Sequence, residues 1–332
     1  MAAFEVPTSE ISEAAGRIEG HAVYTPLLSA DALSERCGST VRIKAEHRQR
    51  TGSFKIRGAL NKTFGLSDND AAGGVITASS GNHGIGVATA AAARGIPCTV
   101  HLPAGASPSK VAAIDRLGAT IVTVDDTDTA EAERTARAAA AEQGVTFISP
   151  YNDPHIIAGQ GTIGLEIADQ WTSLDSGELD AVVVAVGGGG LISGIATWLK
   201  DRFPATTIIG ASPANDQAMA ASVAAGRIIE PPATTTFSDG TAGAVEAGSI
   251  TFPICTALVD EWIAVSEAEI ATAVTAMIDD QHELVEGAAG VALAAAERYG
   301  TENPGANLVV VTCGANVSSA ALGAMLEVAK TS

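Results

Sequence analysis

The sequence predicts an α/β protein. Strand-like β-branched runs alternate with helix-like stretches through almost all of its 332 residues, and several strands are continuously apolar. The apolar fraction of 46 % is weighted toward Ala and Gly, with only 4 % aromatics. Continuous apolar strands between helices imply a parallel sheet covered on both faces. Small residues in such numbers suit close helix-on-sheet packing better than a β-sandwich.

The elements follow in order. VITAS at 75–79 precedes an Ala-rich helix at 82–94, and PCTVHL at 97–102 precedes SKVAAIDRLG. TIVTV at 120–124 precedes TAEAERTARAAAAEQG, and VTFISP at 145–150 leads to a helix near 159–170. AVVVAV at 181–186 leads to LISGIATWLKDRF, and TTIIGAS to an Ala-rich stretch from Asn215. EWIAVSEAEI carries a capping box, with Ser266 as cap and Glu269 three residues later. NLVVVTCG at 307–314 feeds a last helix. The longest non-periodic stretch, 230–249, is rich in Pro, Thr and Gly and reads as a surface or site-lining connection. No 20–50-residue repeat or low-complexity tract interrupts the pattern.

The length allows one or two domains. A net charge of −19, from 38 acidic and 19 basic residues, repels phosphate backbones and anionic lipids. Neither nucleic-acid nor membrane partners are expected, and no run of 18 apolar residues could span a bilayer. The N-terminus MAAFEVPTSE has no basic region before an apolar core, so a secretory signal is not expected and a cytoplasmic enzyme is. Cys37, Cys98, Cys255 and Cys313 show no CxxC spacing, which argues against a zinc site or a disulfide framework. Buried, reduced thiols are expected for the first three.

Three strand-to-loop junctions stand out, because open α/β sheets place their sites at the C-terminal ends of strands. They are SSGNHG at 79–84, GGGGL at 187–191 and CGAN at 313–316. A fourth element, RTGSFKIRGA at 50–59, sets Lys55 between Phe54 and Ile56. The four glycines are either a backbone N–H cradle for a phosphate at a helix N-terminus or a tight turn for close helix packing. They match neither GxGxxG with an acidic partner nor a P-loop. A lysine among apolar and small residues is either an ordinary surface charge or an amine of lowered pKa able to form a Schiff base. Ser79, Ser80, Gly81 and Asn82 are either turn chemistry or a nest for a carboxylate. His83 has no second ligand at metal spacing.

In this order, SFKIRGA, SSGNHG, VGGGGLISG and CGAN resemble the fold-type-II pyridoxal-phosphate (PLP) enzymes, and within them the threonine/serine dehydratase and serine racemase family. The resemblance runs from about His21 to Val328. It implies two domains, each an open, mostly parallel twisted sheet flanked by helices, as in tryptophan synthase β-like folds. Residues 1–66 with 152–332 would form a large PLP-binding domain, and 67–151 a small substrate-closing one. Lys55 would be the Schiff-base lysine and the base that removes the Cα proton. Phe54 would border the ring, and Asn82 would hydrogen-bond its hydroxyl. Gly187, Gly188, Gly189, Gly190 and Leu191 would give N–H groups to the phosphate. Ser79, Ser80, Gly81, Asn82 and His83 would line the substrate site, its carboxylate in particular. Cys313 would lie beside the pyridine nitrogen, with Gly240 and Glu286 near the ring. A homodimer is the implied assembly, and a small amino acid the implied partner.

The activity implied is loss of water from a threonine- or serine-type hydroxy amino acid, giving a 2-oxo acid and ammonia. A thiol at Cys313 cannot hold a protonated pyridine as an aspartate would, which favours prompt loss of a β-hydroxyl over a long-lived carbanion. Ser80 departs from the SAGNH of many threonine dehydratases and keeps racemase activity open as an alternative. SPAND, SDGTAG and VEAGSITFP also resemble dehydratases of hydroxyectoine-derived substrates, phenylserine or hydroxyaspartate. Ser212 and Ala218 stand where the racemases' cation site has acids, so no metal is expected. By resemblance, the chain's end at Ser332 implies the shorter, unregulated or catabolic type. A nucleotide-dependent oxidoreductase built on GGGG would lack its acidic ribose partner and leave Lys55 unexplained.

Overall fold

The computed structural model describes residues 6–126 and 129–331. The first five residues of the stretch read for a leader, and Ser332, lie outside it. The chain enters through α1 (Thr8–Ile18), β1 (Leu27–Ser29), α2 (Asp31–Cys37) and β2 (Thr40–Lys44). α3 (Lys55–Gly65) and α4 (Asp68–Ala72) lead into β3 (Val75–Ala78), α5 (Asn82–Arg94), β4 (Cys98–Pro103) and α6 (Pro108–Asp115). β5 (Thr120–Val124), α7 (Thr129–Gln143) and β6 (Thr146–Phe147) complete this part. Then come α8 (Pro154–Leu174), β7 (Ala181–Ala185), α9 (Gly190–Arg202), β8 (Thr207–Pro213) and α10 (Ala218–Ala225). α11 (Thr251–Leu258), β9 (Glu261–Val265), α12 (Glu267–Gln281), α13 (Gly287–Glu302), β10 (Asn307–Val311) and α14 (Ser319–Ala329) close the chain.

Two sheets result. The larger has six strands in the order β1-β2-β10-β7-β8-β9, and the smaller has four in the order β5-β4-β3-β6. All pairings are parallel except β1 with β2, where Leu27 lies opposite Lys44. β7 is buried at every position, as a central parallel strand must be. The fold is therefore the two-sheet α/β architecture expected.

Local detail departs from expectation in three places. β5 is half-exposed because it is the edge strand of its sheet, paired with β4, and Val122 is 36 % exposed. TIVTV is thus not covered on both faces. VTFISP pairs over two residues, with one further bond from Ile148 N to Ile76 O at 2.8 Å, before Pro150, which has no N–H to give. α8 starts five residues ahead of 159, because the Asp153 side chain accepts from His155 N and Ile156 N and Pro154 fills the first position. The capping box at Ser266 and Glu269 is present.

Small residues let the helices approach closely. A Cβ on Gly194 of α9 would fall 2.3 Å from Ile157 O of α8. The main core lies on both faces of the six-stranded sheet. A second core joins Ile56, Ala59 and Leu60 of α3 to Val87 of α5, Val75 of β3 and Val100 of β4. α3 thus packs against the small sheet unit while its other side meets α8. Among the described residues no helix is long and apolar enough to cross a membrane.

Candidate active site

A cavity of about 640 Å³ opens where the C-terminal ends of β3, β7 and β10 converge, and every site residue named from the sequence lines it. Phe54 and Lys55 come from the start of α3. Their approach is pinned to the end of β10, since Phe54 N donates to Cys313 O at 3.0 Å and Ser53 bridges Gly314. The Lys55 ammonium donates to Pro150 O at 2.9 Å and lies 5.3 Å from the centre of the Phe54 ring. Burial lowers its pKa to about 8, against the opposing pull of Cys313 and Glu286. An amine so placed loses its proton far more readily than a surface lysine.

The loop Ser79-Ser80-Gly81 caps the start of α5. Ser79 Oγ accepts from Gly81 N at 3.1 Å. The Ser80 hydroxyl has no hydrogen-bond partner among the described residues. The first N–H groups of a helix have no intrahelical partner, so the start of α5 is suited to an anion. His83 is more constrained than expected. Its Nε2 stands 3.0 Å from Ile148 O, and burial together with Lys55 lowers its pKa to about 3. The ring is neutral and its Nε2–H is committed to that carbonyl. What His83 can offer an anion is its backbone N–H.

Gly187, Gly188 and Gly189 turn the chain into α9, which begins at Gly190 and Leu191, with Gly189 in the left-handed region at φ 83°. A Cβ on Gly188 would sit 2.4 Å from the Tyr151 ring. No side chain fits there, so bare backbone N–H groups line this end of the cavity.

Opposite lie Gly240, Glu286 and Cys313. Asn82 Nδ2 donates to Glu286 Oε1 at 2.9 Å and Oε2 at 3.0 Å, and Cys313 Sγ is 3.7 Å from Glu286 Oε1. Burial raises the Glu286 pKa. Burial, with the Glu286 carboxylate beside it, raises that of Cys313 well above the ordinary thiol value. Cys313 is therefore a neutral thiol at physiological pH. All four cysteines are free and buried.

Ser212 and Ala218 lie on β8 and at the start of α10, and Ser212 Oγ is 3.5 Å from Val186 O. The nearby Asp216 accepts from Gly243 N at 2.8 Å. Among the described residues no three His, Cys, Asp or Glu side chains are grouped to hold a metal.

Sequence motifs do not mark several of the lining residues. Tyr151 backs the glycine loop and accepts from Glu246 N through its hydroxyl at 2.8 Å. Lys110 of α6 reaches Asp239 at 3.1 Å beside the cavity. Asn316 lines the cavity too. Its signal is present as the last letter of CGAN, whereas Lys110 is one cation of an ordinary helix.

The set fits PLP: an easily deprotonated amine, a cradle of N–H groups at a helix N-terminus for the phosphate, and neutral and amide groups for the ring. Comparison with known proteins agrees. The pattern of the family described as "Pyridoxal-phosphate dependent enzyme" matches residues 18–314. The chain is 38 % identical over 322 residues to the L-threonine ammonia-lyase of Geobacter sulfurreducens, covering 97 % of this chain and 78 % of that protein. It is 40 % identical over 290 residues to the catabolic L-threonine dehydratase TdcB of Escherichia coli K12, covering 87 % and 86 %. The solved structure of maize serine racemase superposes with a TM-score of 0.90 at 33 % identity, covering 98 % of both chains. A match of this extent, at this identity, makes the chain a member of the pyridoxal-phosphate dependent enzyme family, in the fold-type-II branch that holds the threonine dehydratases and serine racemases.

Proposed function

We propose that the protein eliminates water from a small β-hydroxy amino acid, threonine or serine first, releasing a 2-oxo acid and ammonia. The observation that carries this is the neutral Cys313 thiol held against Glu286. PLP supplies an electron sink for the bonds at Cα of an attached amino acid. A thiol beside the ring nitrogen does not deepen that sink, so charge at Cα is best relieved by losing a β-leaving group. Lys55, whose lowered pKa makes its amine form accessible, takes the Cα proton. The β-hydroxyl leaves with one proton as water, balancing the proton that Lys55 takes from Cα, and the enamine then takes up water to give the oxo acid and ammonia. N–H groups at the start of α5 and the Ser79–Gly81 loop hold the substrate carboxylate, and the glycine loop holds the cofactor phosphate. The names of the Geobacter and Escherichia relatives support threonine as substrate.

Residues 67–151 act as the small unit that closes on the substrate against α3, which the large unit holds. A homodimer working in the cytoplasm is the proposed setting. Size-exclusion chromatography with light scattering tests the assembly, and a monomer at micromolar concentration would reject it.

The free hydroxyl of Ser80 favours one second reading, in which Ser80 returns a proton to the face of Cα opposite Lys55. The maize relative's name supports racemisation as a companion activity.

The deciding experiment measures a visible absorption band, its loss on borohydride reduction, and 2-oxo acid release across threonine, serine, phenylserine, hydroxyaspartate and a hydroxylated diamino acid. Lys55→Ala is expected to lose band and turnover while keeping its thermal midpoint within a few degrees. Normal turnover in that variant would overturn the assignment of Lys55, and no oxo acid from any substrate would overturn the elimination reading.

A further inference from the structure

Asn82 hydrogen-bonds the cofactor ring usefully only if its amide is the right way round. An asparagine offers two N–H donors on one side and a carbonyl on the other, and the two orientations are nearly identical in shape. Something must therefore choose between them. Two neighbours do, and one of them is Asn316.

The Asn316 side chain uses its Nδ2 twice. It donates to Thr51 O at 2.8 Å and to Asn82 Oδ1 at 2.6 Å. The Thr51 carbonyl is an acceptor only, so it fixes which end of Asn316 carries the nitrogen. Asn316 then presents a donor to Asn82, and the Asn82 oxygen must turn toward it. On the other side, Glu286 accepts from Asn82 Nδ2 at 2.9 and 3.0 Å. Asn316 grips Glu286 as well, through its backbone N–H to Oε2 at 3.2 Å. The relay therefore runs Thr51 O, Asn316 amide, Asn82 amide, Glu286 carboxylate, with each amide held in one orientation.

We infer that Asn316 is a positioning residue for the cofactor: it fixes the Asn82 amide so that Asn82 offers an N–H, not a carbonyl, toward the ring. This rests on Asn82 being the ring-hydroxyl partner. It gives the fourth letter of CGAN a role besides that of Cys313, and it explains why residues 82, 286 and 316 meet at one point. Reversal of the Asn82 amide would set its N–H₂ against that of Asn316 and its oxygen against the Glu286 carboxylate, each a polar mismatch at a partly buried contact.

The test is a titration of PLP into cofactor-free protein, read by affinity and by the wavelength of the visible band. Variants are Asn316→Asp, Asn316→Leu, Asn82→Ala and the two double substitutions. Asn316→Asp replaces a donor by an acceptor and sets the relay against itself. It is expected to weaken cofactor binding by about tenfold or more and to move the band. Asn316→Leu removes the donor without charge, and about a two- to threefold loss is expected, with a smaller band shift. In the Asn82→Ala background neither Asn316 substitution should change affinity or wavelength further, as expected for residues acting through one another. Thermal midpoints of the cofactor-free proteins register any purely structural loss, which would leave the wavelength unmoved. Should Asn316→Asp fail to fold, the Asn316→Leu shift and its disappearance without Asn82 test the same coupling.

An equal loss with and without Asn82, or an unmoved band in both Asn316 variants, would overturn the inference while leaving Asn82 as ring partner. Wild-type affinity in Asn82→Ala alone would overturn both.

Discussion

At the scale of residues, burial sets the protonation of the ionisable groups lining the cavity, and two side chains there give direct tests. His83 is held neutral, its pKa lowered from 6.5 to about 3 by burial and by Lys55. Folding therefore releases a proton wherever the unfolded imidazole is charged. The stability contributed by neutral His83 is full above about pH 6.5 and drains away as the pH falls toward 3. His47, lowered to about 4 by burial and then by Arg48, drains over the same range, with Glu46 opposing and Glu283 3.2 Å from its Nε2. The thermal midpoint should therefore fall between pH 6.5 and 4 more steeply in the wild type than in His83→Gln, and parallel curves would remove His83 from the account. Ser80 gives the second test. Ser80→Ala should abolish any appearance of the opposite substrate enantiomer and reduce oxo-acid formation by roughly tenfold or less, because only racemisation needs a second proton donor. Chiral chromatography of residual substrate decides it. Both activities falling together, through KM, would instead make Ser80 a carboxylate contact.

At the scale of elements, α3 is held on the side away from the cavity by a buried ionic cluster. Arg57, 1 % exposed, donates from Nε and Nη2 to Glu46 at 2.8 Å each and from Nη1 to Glu166 at 2.6 Å. Lys44 Nζ donates to the same Glu166 at 2.5 Å and to Thr25 O at 2.7 Å. Two cations and two carboxylates tie β2 and the short turn Glu46–Arg48 to α3 and α8. Removing one partner leaves the others charged and dry. Arg57→Met is expected to cost about 3–5 kcal/mol of stability, seen as a lowered denaturant midpoint. An unchanged midpoint would show that water reaches the cluster. The glycine loop is the other element under tight constraint. Gly188→Ala drives a methyl into Tyr151 and should weaken cofactor uptake by about tenfold, at an overpacking cost of about 1–3 kcal/mol, with uptake measured by titration.

At the scale of the whole molecule, the cavity lies between two sheet units that also meet through ion pairs, one of them between cavity-lining residues. Lys110 of α6 meets Asp239 at 3.1 Å, and Arg137 of α7 meets Glu246 at 3.1 Å. These pairs are partly exposed and weak, so they would offer little resistance to the proposed closure. Structures with and without a bound substrate analogue should therefore differ in the angle between the two sheets, with the analogue's carboxylate at 79–83. The same angle in both would reject closure. Much of this was legible in the sequence. The alternation of apolar strands and helices and the capping box are local signals, repeated over a few residues, and they determined the α/β class, while the cofactor followed from the family resemblance that the four motifs carry together. Strand order, the exposure of edge strand β5, the place of Tyr151 behind Gly188 and the contact of Asn316 with Asn82 were decided only by the tertiary structure. Residues 82 and 316 stand far apart in the chain, and an amide carries no period that marks its partner. Their meeting follows from β3 and β10 ending at one cavity from different sheets, a consequence of topology that no window along the chain contains.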